Sequence, residues 1–274
     1  MATRNLYSAL SYSLTLLLLG SCTVYVPMQP TVSTVSCQGQ LELAGSMQAN
    51  SRLEGTAVYS PLPHTLVMAA GSFRPKIGDT TFSATRQWEA GLGSYAHLGS
   101  GWLLTGMAGY GRATTSKAIP GVAIGIYGGG TSVYDARYRK LFGQLSLAHE
   151  ARRQSFGVVY RLARVSYDQL DYRFGLDNTA AVVAIPMKSA FRHEGLSFYR
   201  VGLDPRNRWQ LQATLGLSVA QQPERVVTPV GPNRNDGYTE QNEAKKASRP
   251  VLMTSLGVVF RPQFLSRKAA GSQP

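Results

Sequence analysis

The sequence predicts an all-β fold: one up-and-down antiparallel transmembrane barrel of about ten strands, where small boundary changes would give eight to twelve. Three observations carry this. Segments of strict two-residue alternation recur along the chain, separated by turn chemistry. Charged residues are only 16 % of the 274, below the roughly 25 % usual for soluble domains, while glycine and tyrosine reach 28 and 14. Connections alternate between short and long, the habit of barrels with tight turns on one side of a membrane and long loops on the other.

The chain opens with a single positive charge, Arg4, followed by an apolar run through Leu14 to Leu19 and then Gly20-Ser21-Cys22. That order is a secretory signal over residues 1–21. Leu19-Gly20-Ser21-Cys22 has the form of a lipobox, with cleavage before Cys22 and lipid on its thiol; the alternative is an ordinary signal with a chance cysteine. The apolar run is shorter than the roughly 20 residues of a spanning helix, and later apolar stretches are broken by Gly, Pro or charge, so any span must be built from strands. Residues 22–37 read as a lipidated N-terminus and an extended tether, since Thr23 to Ser36 carries Pro, Val and Ser and no charge.

The barrel domain is expected over 38–262. Its first strand lies in Gln38 to Gln48, with Leu41, Leu43 and Met47 on one face; others follow at about 53–60, 65–73, 82–98, 101–112, 134–150, 154–168, 196–204, 208–220 and 251–261. Trp209 to Ala220 is the cleanest. Trp209, Leu211, Leu215, Leu217 and Val219 fall on one face, and Gln210, Gln212, Thr214 and Ser218 on the other. A soluble sandwich would put Lys and Glu on that second face, whereas small uncharged side chains suit a narrow lumen. The links 99–100, 151–153 and 205–207 are tight, and 113–133, 169–195 and 221–250 are long. This parity predicts both barrel termini in the periplasm, beside a lipid on the inner leaflet of an outer membrane. Trp102, Trp209, Phe82, Tyr59 and Phe260 are candidates for interfacial girdles. Ser255, Gly257 and Phe260 match part of a C-terminal barrel-assembly signal, but Pro262 replaces the final aromatic and a basic tail, 263–274, follows.

The lipobox with Tyr25-Val26-Pro27, the Gln40-Leu41-Glu42-Leu43 strand and the Ala57-Val58-Tyr59-Ser60-Pro61 hairpin resemble the uncharacterised outer-membrane β-barrel lipoproteins of Bacteroidota, mainly over residues 22–75. The resemblance implies a lipidated outer-membrane barrel. Surface-exported members of that group often carry acidic residues after the cysteine. Thr23-Val24-Tyr25-Val26 has none, which speaks against display of the anchor at the surface.

Chemistry is sparse. Two cysteines, one committed to lipid, exclude a disulfide framework and a Cys-rich metal site. After cleavage, 27 Lys and Arg against 15 Asp and Glu leave +12, which in an exported chain points to anionic lipid headgroups and not to nucleic acid. Ser146 and His149 fall on opposite strand faces and cannot pair as nucleophile and base. Gly121 to Gly130 is glycine-rich but lacks the Gly-Lys-Ser/Thr ending of a phosphate loop. Asp177 to His193 could hold one short helix starting near Asp177 and Asn178, and Pro186 would interrupt it. No catalytic, cofactor or metal site is therefore expected, and the chain reads as a non-enzyme.

Alternation does place Glu42, Glu54 and Glu89 on strands one, two and four, and Arg161 and Arg200 on strands seven and eight, all opposite the greasy faces. Buried charges must be paired. These five are expected either to form an internal network that plugs the lumen or to lie solvated at the rims. The expected role is structural, or binding of an envelope or surface ligand through the long loops. The rival classes are a lipid-modifying barrel enzyme and a soluble lipid-anchored ligand-binding barrel.

Overall fold

The computed structural model describes residues 24–120, 131–174, 182–185, 187–221 and 248–262. Cys22, Gly121 to Gly130, Asp177, Asn178, Pro186 and the tail 263–274 lie outside them. Among the described residues the elements are β1 (Leu41–Gln48), β2 (Leu53–Tyr59), β3 (Leu66–Arg74), β4 (Phe82–His97), β5 (Trp102–Pro120), β6 (Thr131–Glu150), β7 (Gln154–Phe174), β8 (Val182–Ala184), β9 (Ser189–Gly202), β10 (Trp209–Ala220) and β11 (Val251–Phe260).

Every neighbouring pair is antiparallel, and β1 meets β11 in the register Leu43 opposite Phe260 to Gln48 opposite Ser255, so the sheet closes. Ten long strands make the barrel; β8 pairs only with the far end of β7. Val251–Phe260 is the closing strand, although Pro262 stands where the assembly signal expects an aromatic.

Two of the three long links are shorter than the sequence suggested, because β5, β6 and β7 run 19, 20 and 21 residues and carry their pairing well past the expected ends, while the link 221–250 keeps its expected bounds. One wall is thus tall, and the wall of β1 and β2, of 8 and 7 residues, is low. The strand expected from 196 begins at Ser189. Charged residues in Ser189–Gly195 disguise a regular alternation whose even positions face inward. The region read as a helix holds strand instead where it is described, in β8 and the start of β9, with Ile185, Met187 and Lys188 irregular between them.

Outward positions form an apolar belt: Leu92, Leu141, Leu145, Leu215 and Leu256 are each at least 56 % exposed. In water such a continuous surface would be a liability. Tyr59, Trp102, Phe156, Trp209 and Phe260 ring the short-turn mouth, where Trp209 and Phe260 sit 4.4 Å apart. Phe82 leaves the proposed girdle, since it turns inward and packs with Ala118 and Val133.

The segment read as a tether is extended, but it lies inside the barrel. From Val24 to Val35 nearly every residue is buried, with Tyr25, Met28 and Val35 built into the same clusters as inward residues of β2 to β7. Two-residue alternation identifies a strand that faces a sheet, not an unpaired stretch surrounded by one, so nothing local marked this position.

Candidate functional site

The lumen holds charges at three levels. Near the short-turn mouth Glu42 accepts from Arg200 at 3.0 Å and from Arg261 at 3.1 Å, and Arg261 continues to Glu150 at 2.6 Å. Burial pulls the Arg261 guanidinium down, but the Glu42 and Glu150 carboxylates outweigh this and hold it above the usual arginine range. At mid-height Glu89 receives Lys140 and Arg161, the latter at 3.1 Å; Arg161 also donates to Gln144 at 2.8 Å, stacks over Phe142 at 4.4 Å and comes within 3.9 Å of Glu194. Toward the long-loop mouth Arg52 pairs with Glu54 at 2.7 Å, and Arg192 donates to Ser218 and lies 4.3 Å from the Tyr25 ring.

All five lumen candidates face inward and are buried. They do not form one cluster. Glu89 and Arg161 meet, Glu42 and Arg200 meet, and Glu54 pairs with Arg52. Sequence reading missed Arg52, Lys140, Arg192, Glu194 and Arg261. Arg192 and Glu194 are in phase with Leu196, Phe198 and Arg200, and Arg52 is in phase with Glu54, so alternation extended past the apolar core of each strand would have found these three; Lys140 and Arg261 lay inside expected strands.

The threaded segment is bound all along its length by these side chains. Thr115 donates to the Val24 carbonyl, Gln87 and Tyr138 to that of Val26, and Arg52 to that of Pro27. Gln29 exchanges hydrogen bonds with Thr214 and Ser255 at 2.9 and 3.0 Å. Gln144 donates to the Thr31 carbonyl and Arg200 to that of Val32, while Thr34 donates to Glu42 and His97 reaches the Ser36 carbonyl. An extended backbone without a ladder needs partners for its polar groups; here the lumen side chains supply them.

Glycine makes room for the central pairs. A Cβ on Gly111 would stand 2.7 Å from the Trp88 carbonyl oxygen, 2.8 Å from Glu89 Cγ and 3.3 Å from Lys140 Cε.

Above Tyr25, Val26 and Pro27 a cavity of about 940 Å³ opens at the long-loop mouth. It is bordered by the β1–β2 turn, the ends of β3 to β5 and the start of β11, with Arg52, Arg74 and Lys117 in its wall and no carboxylate among the lining residues. The lining residues Gln48, Arg52 and Thr85 each carry a buried polar atom, Nε2, Nε and Oγ1, without a hydrogen-bond partner among the described residues. Ile77, Phe82, Ile119, Val251 and Leu252 supply an apolar side.

Among the described residues the histidines contact no carboxylate. His64 meets the Tyr95 carbonyl, His97 that of Ser36, and His193 the Tyr160 hydroxyl on the outer face. Ser146 points into the lumen and bonds Thr105.

These features define the class: an outer-membrane-type β-barrel, closed, antiparallel and ten-stranded, with an apolar exterior and a polar filled interior. The fold is similar to that of the outer-membrane protease OmpT of Escherichia coli, at 8 % identity and TM-score 0.50 over 81 % of this chain and 93 % of that one. CarO2 and CarO of Acinetobacter baumannii align over 81 % and 84 % of the chain, and 98 % and 99 % of their own, at 11 % and 10 % identity; their TM-scores of 0.26 and 0.23 add nothing to the assignment. No family model and no curated protein matches.

The OmpT likeness corrects one expectation. A chain without a recognisable catalytic motif was read as a non-enzyme, yet it has the fold of a protease, so that reading is withdrawn. At this identity the likeness reaches the fold alone.

Proposed function

We propose that this chain is an outer-membrane barrel anchored through Cys22, with its short-turn mouth and both barrel termini in the periplasm, and that it works by binding an anionic, partly apolar envelope or surface ligand at the long-loop mouth. One contrast carries the reading. The lumen is filled along its height by the Val24–Ser36 segment and by paired charges, while the roomy cavity above it has Arg74 and Lys117 in its wall beside the Glu54-paired Arg52, and no carboxylate among its lining residues. The apolar belt and the short-turn side chosen by the connections support the orientation. The belt also argues against the soluble alternative, because outward leucines need an apolar solvent.

Phosphate or carboxylate groups fit Arg52, Arg74 and Lys117, and an attached hydrocarbon fits Ile119, Val251 and Leu252. The test is titration of the full chain in phosphatidylcholine vesicles with hexyl phosphate, inorganic phosphate and hexanol. Hexyl phosphate is expected to bind most tightly, and hexanol not at all. The Arg74→Ala/Lys117→Ala variant is expected to lose the phosphate-dependent part. If the variant binds hexyl phosphate like the native chain, the proposed site is wrong. Retention in the membrane after Cys22→Ser, with compact gel migration until heating, tests the integral barrel separately.

A further inference from the structure

The Val24–Ser36 segment has a direction. Its contacts climb the barrel in order: Ser36 is at His97 and Thr34 at Glu42, beside the short turns; Thr31 is at Gln144; Gln29 is at Thr214 and Ser255, midway; Pro27 is at Arg52 and Val24 at Thr115, toward the long loops. At about 3.1 Å per residue of extended chain, the segment reaches roughly 37 Å, more than the ~30 Å hydrocarbon core. Cys37, exposed beside the Gln40 side chain that caps its backbone N–H, marks the opposite end.

We infer that the chain threads its own barrel, so that the mature N-terminus leaves at the long-loop mouth, across the membrane from Cys37 and Phe260, and a lipid on Cys22 enters the outer leaflet. Two residue steps from Val24 cover at most about 7 Å, so Cys22 stays near that mouth. The Ala49–Arg52 turn, on the low wall, borders the same cavity as Tyr25 to Pro27. This places the anchor on the side opposite to the inner-leaflet position that the sequence suggested.

Which mouth is the cell surface rests on the orientation proposed above; the threading does not. Both are tested in cells making the full chain, with a membrane-impermeant maleimide applied before and after outer-membrane permeabilisation. The native chain reports Cys37. A Thr23→Cys/Cys37→Ser variant reports the N-terminal end, and a short epitope inserted between Thr23 and Val24, read with antibody, reports it where the thiol is shielded. The expected result is full labelling of the N-terminal reporters on intact cells and none of Cys37 until permeabilisation. The reverse pattern keeps the threading and overturns the orientation. Reporters of both ends on one side, in chains that still migrate as compact barrels, overturn the threading.

Discussion

The two mouths of the barrel are built on different electrostatic terms. At the short-turn mouth Glu42 is shared by Arg200 and Arg261, and Arg261 is shared by Glu42 and Glu150, so every charge of the group has an opposite partner within 3.1 Å. At the long-loop mouth Arg52 is held by Glu54, and Arg74 and Lys117 join it in the wall of a cavity whose lining includes no carboxylate. Matched charges close space; a cationic wall beside an empty volume leaves it open to an anion. The lesson is that burial of arginine alone says little about role, and the location of the compensating carboxylates says more.

The largest break in this comparison is expected at mid-height. Glu89→Gln leaves Arg161 and Lys140 buried without their common carboxylate, a loss of about 3–5 kcal/mol, read as a lower temperature for the heat-induced change in gel migration. Arg200→Met is milder, about 2–3 kcal/mol by the same measurement, because Glu42 keeps Arg261 while the Val32 carbonyl and Gln212 lose a donor. An equal effect of the two variants would contradict the shared-carboxylate account. Gly111→Ala is expected to cost about 1–3 kcal/mol, since the methyl meets backbone at Trp88 and the Glu89 side chain must give way.

Outside the lumen, effects shrink. Asp204, in the β9–β10 turn, is pulled upward by desolvation, but hydrogen bonds from the Trp209 N–H, the Arg208 side chain and the Arg206 N–H hold its carboxyl below the ordinary range. Its contribution is therefore complete above the ordinary aspartate value and disappears as pH falls through the lowered one. Asp204→Asn is expected to cost about 0.5 kcal/mol or less at neutral pH, a gap that closes in acid. The smallest change in stability is expected for Arg74→Ala/Lys117→Ala, whose residues line the cavity at the long-loop mouth, away from the mid-height and short-turn ion pairs; its effect belongs to ligand binding. A stability loss there as large as that of Arg200→Met would erase the difference between the two mouths.

Much of the fold was legible locally. In β10 the outward Trp209, Leu211 and Leu215 and the inward Gln210, Gln212 and Thr214 follow from alternation alone, and Glu42, Glu54, Glu89, Arg161 and Arg200 were placed on inward faces by the same rule. The candidate site was legible in part. Arg192 and Glu194 obeyed the alternation but sat in a stretch too polar to read as strand, and Arg261, though inside the expected strand 251–261, was not followed onto the inward face.

By itself the sequence determined the strand succession, the greasy face of each strand and the alternation of short and long connections, because a strand's two faces and a turn's chemistry are properties of neighbouring residues. Only the tertiary structure decided which carboxylate meets which cation, where the cavity opens, and that Val24 to Ser36 runs through the lumen. The partners of that segment lie as far as 226 residues away along the chain, and an uncharged extended peptide carries no periodicity that names them. Closure of β1 on β11 sets those distances, and no local pattern contains them.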